Sequence, residues 1–161
     1  MRYIFLDVDG VLNNANTKAI NPSGYVGVSS KLVRNLAKIV FATGAGIILS
    51  SDWKGGWSRA RYDCDEDVGY LIDRLKKCNL RILDRTYDVK EVDNDYTDRG
   101  VGIKKFLESK EDVEGYVILD DHVFADFDEE QMKHLVHTDS DKGLTDEDVS
   151  KAIDILSIEL S

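Results

Sequence analysis

The chain has 161 residues, 42% of them apolar, which is enough for one domain with a sizeable buried core. Its 21 Lys and Arg stand against 31 Asp and Glu, a net charge of −10, and this disfavours broad binding to a nucleic-acid backbone or an acidic membrane, both of which need cations on the protein. Two cysteines, Cys64 and Cys78, with no CxxC spacing argue against a disulfide-stapled secreted scaffold, and the longest uncharged stretch, residues 39–51, is too short to span a bilayer.

Along the chain, short runs rich in Ile, Val and Leu alternate with segments of helical period, the pattern of a parallel sheet wrapped by helices. The first run, residues 2–8, meets Asp7 and Asp9 before a signal-peptide core forms, so a cytoplasmic protein is expected. Ser29 and Ser30 offer N-caps to an amphipathic helix reaching Phe41, with Gly44 as its stop. Residues 46–49 make a second buried strand that breaks at Ser50. A polar loop over 51–63 leads to a helix near 65–78, where Leu71, Ile72 and Leu75 share one face. Residues 80–83 predict a third short strand, followed by an acidic loop. Ile103, Phe106 and Leu107 mark another helix, 115–119 the clearest buried strand, and 134–137 a weak fifth strand. Asp126, Asp128, Glu129 and Glu130 read as a solvated acidic turn. Thr145 and Asp148 open the closing helix like a capping box with Asp in place of Glu. Five strands and about four helices in this order predict an α/β fold, a doubly wound (Rossmann-like) three-layer sandwich with a mainly parallel five-stranded sheet, in a single domain over residues 1–161.

Ligands of such folds sit beyond the carboxyl ends of the strands, where strand order reverses. The first strand ends in Asp7-Val8-Asp9-Gly10, the second in Ser50-Ser51-Asp52 and the fourth in Asp120-Asp121. Side chains alternate along a strand, so Asp7 and Asp9 are expected to face one cleft. If Asp120 and Asp121 reach it too, like charges in one volume drive protonation unless a cation intervenes, and an all-carboxylate set suits Mg²⁺. Alone, Asp7 to Gly10 reads equally as turn chemistry; three strand ends with matched chemistry read as a site.

The run Tyr3-Ile4-Phe5-Leu6-Asp7-Val8-Asp9-Gly10-Val11-Leu12-Asn13 resembles the first motif of the haloacid dehalogenase (HAD) superfamily. Ile47-Ile48-Leu49-Ser50 is similar to its second motif, Arg99-Gly100 at a helix start to its third, and Val117-Ile118-Leu119-Asp120-Asp121 to its fourth. Leu49-Ser50-Ser51-Asp52-Trp53-Lys54 and Asp139 to Thr145, ending Gly143-Leu144-Thr145, further resemble the small capless domains of Swiss-army-knife RNA-repair proteins. The resemblance implies a phosphohydrolase with a minimal cap or none. Asp7 would be the nucleophile that forms an aspartyl-phosphate, and Asp9 the acid that protonates the leaving group and then activates water. Ser50, with Ser51 and Gly10, would contact phosphoryl oxygens, and Arg99 would offset the charge shared by nucleophile and phosphate. Asp7, the Asp9 main-chain carbonyl and Asp121 would hold Mg²⁺, with Asp120 acting directly or through water. Arg stands where the family more often has Lys, so Lys104 is the alternative cation.

Trp53 and Trp57, interleaved with Lys54, Arg59 and Arg61, read either as a base-stacking, phosphate-steering patch or as tryptophans that anchor a loop. Asn13 and Asn14 either touch substrate or stabilise the turn. His134 and His137 point to opposite faces of a strand and read as structural. The leading expectation is a Mg²⁺-dependent phosphomonoesterase whose partner is a phosphorylated small molecule or a nucleic-acid end, with Asn13, Trp53 and Lys54 as substrate contacts. Alternatives are a receiver-like phosphoacceptor, whose acceptor follows strand three and fits these strand ends poorly, and a non-catalytic or accessory module of RNA repair.

Overall fold

A computed structural model describes residues 1–87, 98–158 and 160, so most of the expected acidic loop, residues 88–97, lies outside the described residues. The strands are β1 (Arg2–Leu6), β2 (Gly46–Leu49), β3 (Ile82–Arg85), β4 (Gly115–Asp120) and β5 (Leu135–His137). All pair in parallel, in the order β3-β2-β1-β4-β5. Period-two alternation divides their side chains between two cores. On one face Ile4, Leu6, Ile47, Leu49, Val117 and Leu119 pack with α1 (Ser30–Thr43), α2 (Glu66–Lys76) and α5 (Asp146–Leu156). On the other, Tyr3, Phe5, Ile48, Tyr116 and Ile118 pack with Ile103 and Phe106 of α3 (Arg99–Glu108) and with Phe127. The result is the expected three-layer α/β sandwich.

Chain order moves outward from β1 to β3, then restarts at β4 on the other side of β1. That reversal splays the chain apart beyond the carboxyl ends of β1 and β4 and opens a crevice there. Between β1 and α1 the chain forms only a small loop closed by an antiparallel bridge from Ile20 to Val26; no cap domain occurs among the described residues. Nor is any described helix long and apolar enough to cross a membrane.

The helix punctuation follows the sequence signals. Ser29 accepts from Leu32 N to cap α1, and Gly44 ends it in the left-handed region at φ 70°. Thr145 and Asp148 form the reciprocal capping box of α5.

Three expectations need correction. β1 stops at Leu6, two residues early: Asp7 N still donates to Leu119 O, but the chain folds back directly after it. The third strand lies at Ile82–Arg85 rather than 80–83: Leu80 is buried below it, and the edge strand itself is only half-buried and partly polar, with a register shift opposite Ile47 and Ile48. The acidic stretch is not simply a solvated turn. Asp128 caps a short helix, α4 (Glu129–Lys133), in a capping box with Gln131, and His134 ends that helix instead of starting β5.

Candidate active site

The site is assembled by hydrogen bonds that continue the sheet one residue past its strands. Asp7 N donates to Leu119 O at 3.0 Å, Ser50 N to Leu6 O at 2.9 Å, and Thr138 N to Asp120 O at 2.9 Å. The ends of β1, β2 and β4 thus arrive in one place. After Asp7 the chain folds back tightly, with Leu12 N donating to Val8 O at 2.8 Å. Gly10 makes this possible: its φ is +79°, and a Cβ there would collide with the Asp121 carboxylate. Thr138 Oγ1 pins the turn by donating to Gly10 O at 2.7 Å.

Asp7, Asp120 and Asp121 each present a carboxylate oxygen, and these oxygens lie within 4.8 Å of one another. Asp7 and Asp120 are buried and Asp121 is half-buried. Arg99 enters from the start of α3, with Nη1 2.7 Å from Asp120 Oδ2 and 3.5 Å from Asp7 Oδ1. Its Nη2 lies 3.4 Å from Asp52 Oδ1, and its guanidinium stacks 4.4 Å from the Phe124 ring centroid. Burial, and next the Asp120 charge, push the Asp7 carboxyl up to about 8, although Arg99 opposes the shift. Burial also raises Asp120, against the pull of Arg99 and of a hydrogen bond from His122 N. Three carboxylates against one guanidinium leave excess negative charge in a poorly hydrated place. The donor set, three hard anionic oxygens, is the kind a small divalent cation takes.

Asp9 departs from the expected geometry. Because β1 ends at Leu6, its carboxylate is not in the Asp7 cluster but exposed at the rim. Asn13 Nδ2 donates to Asp9 Oδ1 at 2.9 Å and Trp53 Nε1 to Asp9 Oδ2 at 3.1 Å. Of the Asp9 groups, only the main chain is left for the metal assignment. Asn13, expected to touch substrate, also accepts from Gly10 N and donates to Gly27 O, so its amide is committed to the turn.

Ser50 is fully buried, and its Oγ has no hydrogen-bond partner among the described residues. An orphaned hydroxyl at a strand end, beside the turn out of β1, is a donor awaiting an acceptor. Ser51, expected beside it as a phosphate contact, accepts through its hydroxyl from Trp53 N at 3.3 Å, capping the 3₁₀ turn Asp52–Gly56. Lys54 is buried, with Nζ donating to Thr86 Oγ1 at 3.3 Å, while Lys104 is exposed on α3. Trp57 packs into the core as a loop anchor, whereas Trp53 is only partly buried. His134 stacks on Tyr116 at 4.0 Å, and His137 lies 2.9 Å from Asp121 O; both are structural contacts.

No sequence pattern pointed to the pairing of Asp52 with Arg99, to Phe124 under Arg99, or to the supports of α3. Gln131 Nε2 donates to Gly100 O at 2.6 Å, and Asp126 Oδ2 accepts from Val101 N at 2.9 Å. Both fix the helix start that carries Arg99. Only the Asp128-x-x-Gln131 capping signature, visible in the sequence, could have hinted at this tie.

Among known protein families, the model of the HAD domain in Swiss Army Knife RNA repair proteins matches residues 3–149. No curated protein and no solved structure matches the chain significantly.

Proposed function

We propose that the chain, which belongs to the family of HAD domains in Swiss Army Knife RNA repair proteins, is a Mg²⁺-dependent phosphomonoesterase working through Asp7. The observation that carries this reading is a buried Asp7 at the point of strand reversal, grouped with Asp120 and Asp121 and faced by Arg99. Asp7 Oδ attacks phosphorus in line as the bond from phosphorus to the leaving alcohol breaks. The departing oxygen takes its proton from Asp9. Asp9 then removes a proton from water, the water oxygen attacks the same phosphorus, and the Asp7 acyl-phosphate bond breaks to release inorganic phosphate. Splitting one hard displacement into two lowers each barrier.

Position and chemistry support these roles. Asp9 stands at the open rim, held by two N–H donors, where an alcohol or a water arrives, while Asp7 is enclosed and is reached only from that rim side. The unpartnered Ser50 hydroxyl serves a phosphoryl oxygen, and Arg99 balances charge as the phosphoryl group moves. Asp7, Asp121 and the Asp9 carbonyl would hold Mg²⁺, with Asp120 direct or through water, and the ion would screen the nucleophile from the phosphoryl charge. The family's association with RNA repair supports a nucleotide or oligonucleotide terminal phosphate as substrate.

The test is phosphate release from a generic aryl phosphate with and without Mg²⁺. Release is expected to require the ion and to fall at least about 10³-fold in Asp7→Asn. Full activity in that variant would sink the proposal.

A further inference from the structure

A cleft of about 500 Å³ opens beside Asp9, between the turn Asp52–Gly56, the start of α2 and the loop closed by the Ile20 to Val26 bridge. Its apolar wall is uncovered: Tyr25 is 75% exposed and Val26 46% exposed. Folding does not explain why an aromatic and an aliphatic side chain stand open beside a reactive carboxylate. The wall is not loosely attached. Asp67 of α2 accepts from both Ser23 N, at 3.0 Å, and Ser23 Oγ, at 2.5 Å, tying the loop to that helix, and within the loop Asn21 N donates to Tyr25 O at 2.8 Å. Trp53 adds a second aromatic group next to Asp9 itself.

The charge of the lining is one-sided. Asp9, Asp52, Asp65 and Asp67 contribute to it, and no Lys or Arg does among the described residues. A groove made to follow a polynucleotide needs the opposite sign along its length.

We propose that this cleft is the leaving-group subsite and that it selects a single phosphate ester of a neutral or cationic ring-bearing alcohol, rejecting leaving groups with further anionic charge. The inference rests on the phosphomonoesterase reading. If Asp9 protonates the leaving oxygen, the rest of that alcohol must occupy the space next to Asp9, and the cleft is that space. Tyr25 and Trp53 offer π faces to a ring, favourably so to a cationic one, and the carboxylates repel an added phosphate. Of the two nucleic-acid substrates in the proposed function this selects one: a mononucleoside monophosphate fits, and an oligonucleotide continuing through a second phosphate does not.

Para-substituted benzyl phosphates with distal trimethylammonium, tert-butyl or carboxylate groups vary the charge while keeping the reacting phosphate alike. With the full chain and Mg²⁺, kcat/KM is expected to fall about tenfold from cation to anion, and the gap to shrink as salt is raised. Adenosine monophosphate is expected to be hydrolysed about tenfold more efficiently than a dinucleotide with the same terminal phosphate. Tyr25→Ala, at a largely exposed position that folding does not depend on, is expected to lower the ratio of kcat/KM for the tert-butyl ester to that for acetyl phosphate about fivefold. Phosphate release at rates within twofold across the charge series, with that ratio unmoved in Tyr25→Ala, would overturn the subsite alone. No release from any of these esters would overturn the phosphomonoesterase reading itself.

Discussion

Asp7 and Asp9 are two residues apart, yet they sit in opposite surroundings. Asp7 is enclosed among Asp120, Asp121 and Arg99, where burial and like charge hold a proton on it. Asp9 faces an open cleft, and its oxygens are met by neutral N–H groups of Asn13 and Trp53. In the proposed mechanism one residue type would thereby serve two tasks by environment alone, a nucleophile that a cation must unmask and an acid–base group in reach of solvent. The division traces to a backbone detail: β1 stops at Leu6, so the turn at Gly10 carries Asp9 away from the cluster instead of letting it alternate back in.

The sharpest way to break this contrast is to neutralise each side in turn. Asp7→Asn is expected to abolish phosphate release, by at least about 10³-fold, while raising the melting temperature of the metal-free protein at pH 8, since a buried ionisable group is gone. Asp9→Asn is expected to lower kcat by about 10²- to 10⁴-fold with no such gain in melting temperature. Equal thermal gains from both would erase the distinction between pocket and rim.

Removing the cation of the enclosed side comes next. Arg99→Ala leaves the fully buried Asp120 without its guanidinium partner at 2.7 Å. A loss of about 3 kcal/mol in denaturant unfolding is expected, with activity down about 10²-fold. Lys104→Ala, on the exposed face of α3, is expected to stay within about twofold in activity. A larger effect at Lys104 than at Arg99 would reverse the assignment of the third-motif cation.

The pH dependence of stability probes the pocket without any substitution. Asp7 is at about 8 in the folded chain against 3.8 for an ordinary Asp, so between those limits the native state binds more protons than the unfolded state. Stability therefore falls as pH rises through that window. Metal-free protein is expected to melt several degrees lower at pH 8 than at pH 5, with Asp120 adding in the same direction. Saturating Mg²⁺ favours the ionised carboxylates, so its stabilising effect is expected to grow with pH. A melting temperature independent of pH over that range would show that the pocket carries no excess proton.

How legible each side was in the sequence follows the same divide. The sheet and its strand-end acids could be read because buried parallel strands are apolar runs and because caps such as Ser29, Gly44 and Thr145 are local chemistry. The meeting of Asp7, Asp120 and Asp121 could be expected from their places at strand ends, and that of Arg99 with them from the family resemblance. β3 was misplaced because an edge strand containing Asp84 and Arg85 lacks the apolar run that marks a buried one, while the truly buried Leu80 belongs to the turn before it. The Asp9 surroundings were hidden for a different reason. Trp53, Asn13, Tyr25 and Asp67 meet through loop geometry, and no periodicity encodes where a loop side chain ends up. Even so, the alternative that Asn13 stabilises the turn was open in the sequence, and its three hydrogen bonds realise it.

The mildest test concerns how Asp9 is held. Trp53→Phe keeps an aromatic ring against the cleft but deletes the Nε1 donor 3.1 Å from Asp9 Oδ2. One hydrogen bond to a charged group at an exposed rim is worth about 1 kcal/mol, so kcat is expected to fall about fivefold with KM changed less than twofold. Asn13→Ala removes the other donor and also frees Gly10 N and Gly27 O, so it is expected to lower the melting temperature as well as kcat. Because both residues act through the same carboxylate, their effects on kcat in the double variant are not expected to add. Strict additivity would mean that the two donors do not share the work of aiming Asp9, and the rim would then be an open surface with a carboxylate on it instead of a positioned acid.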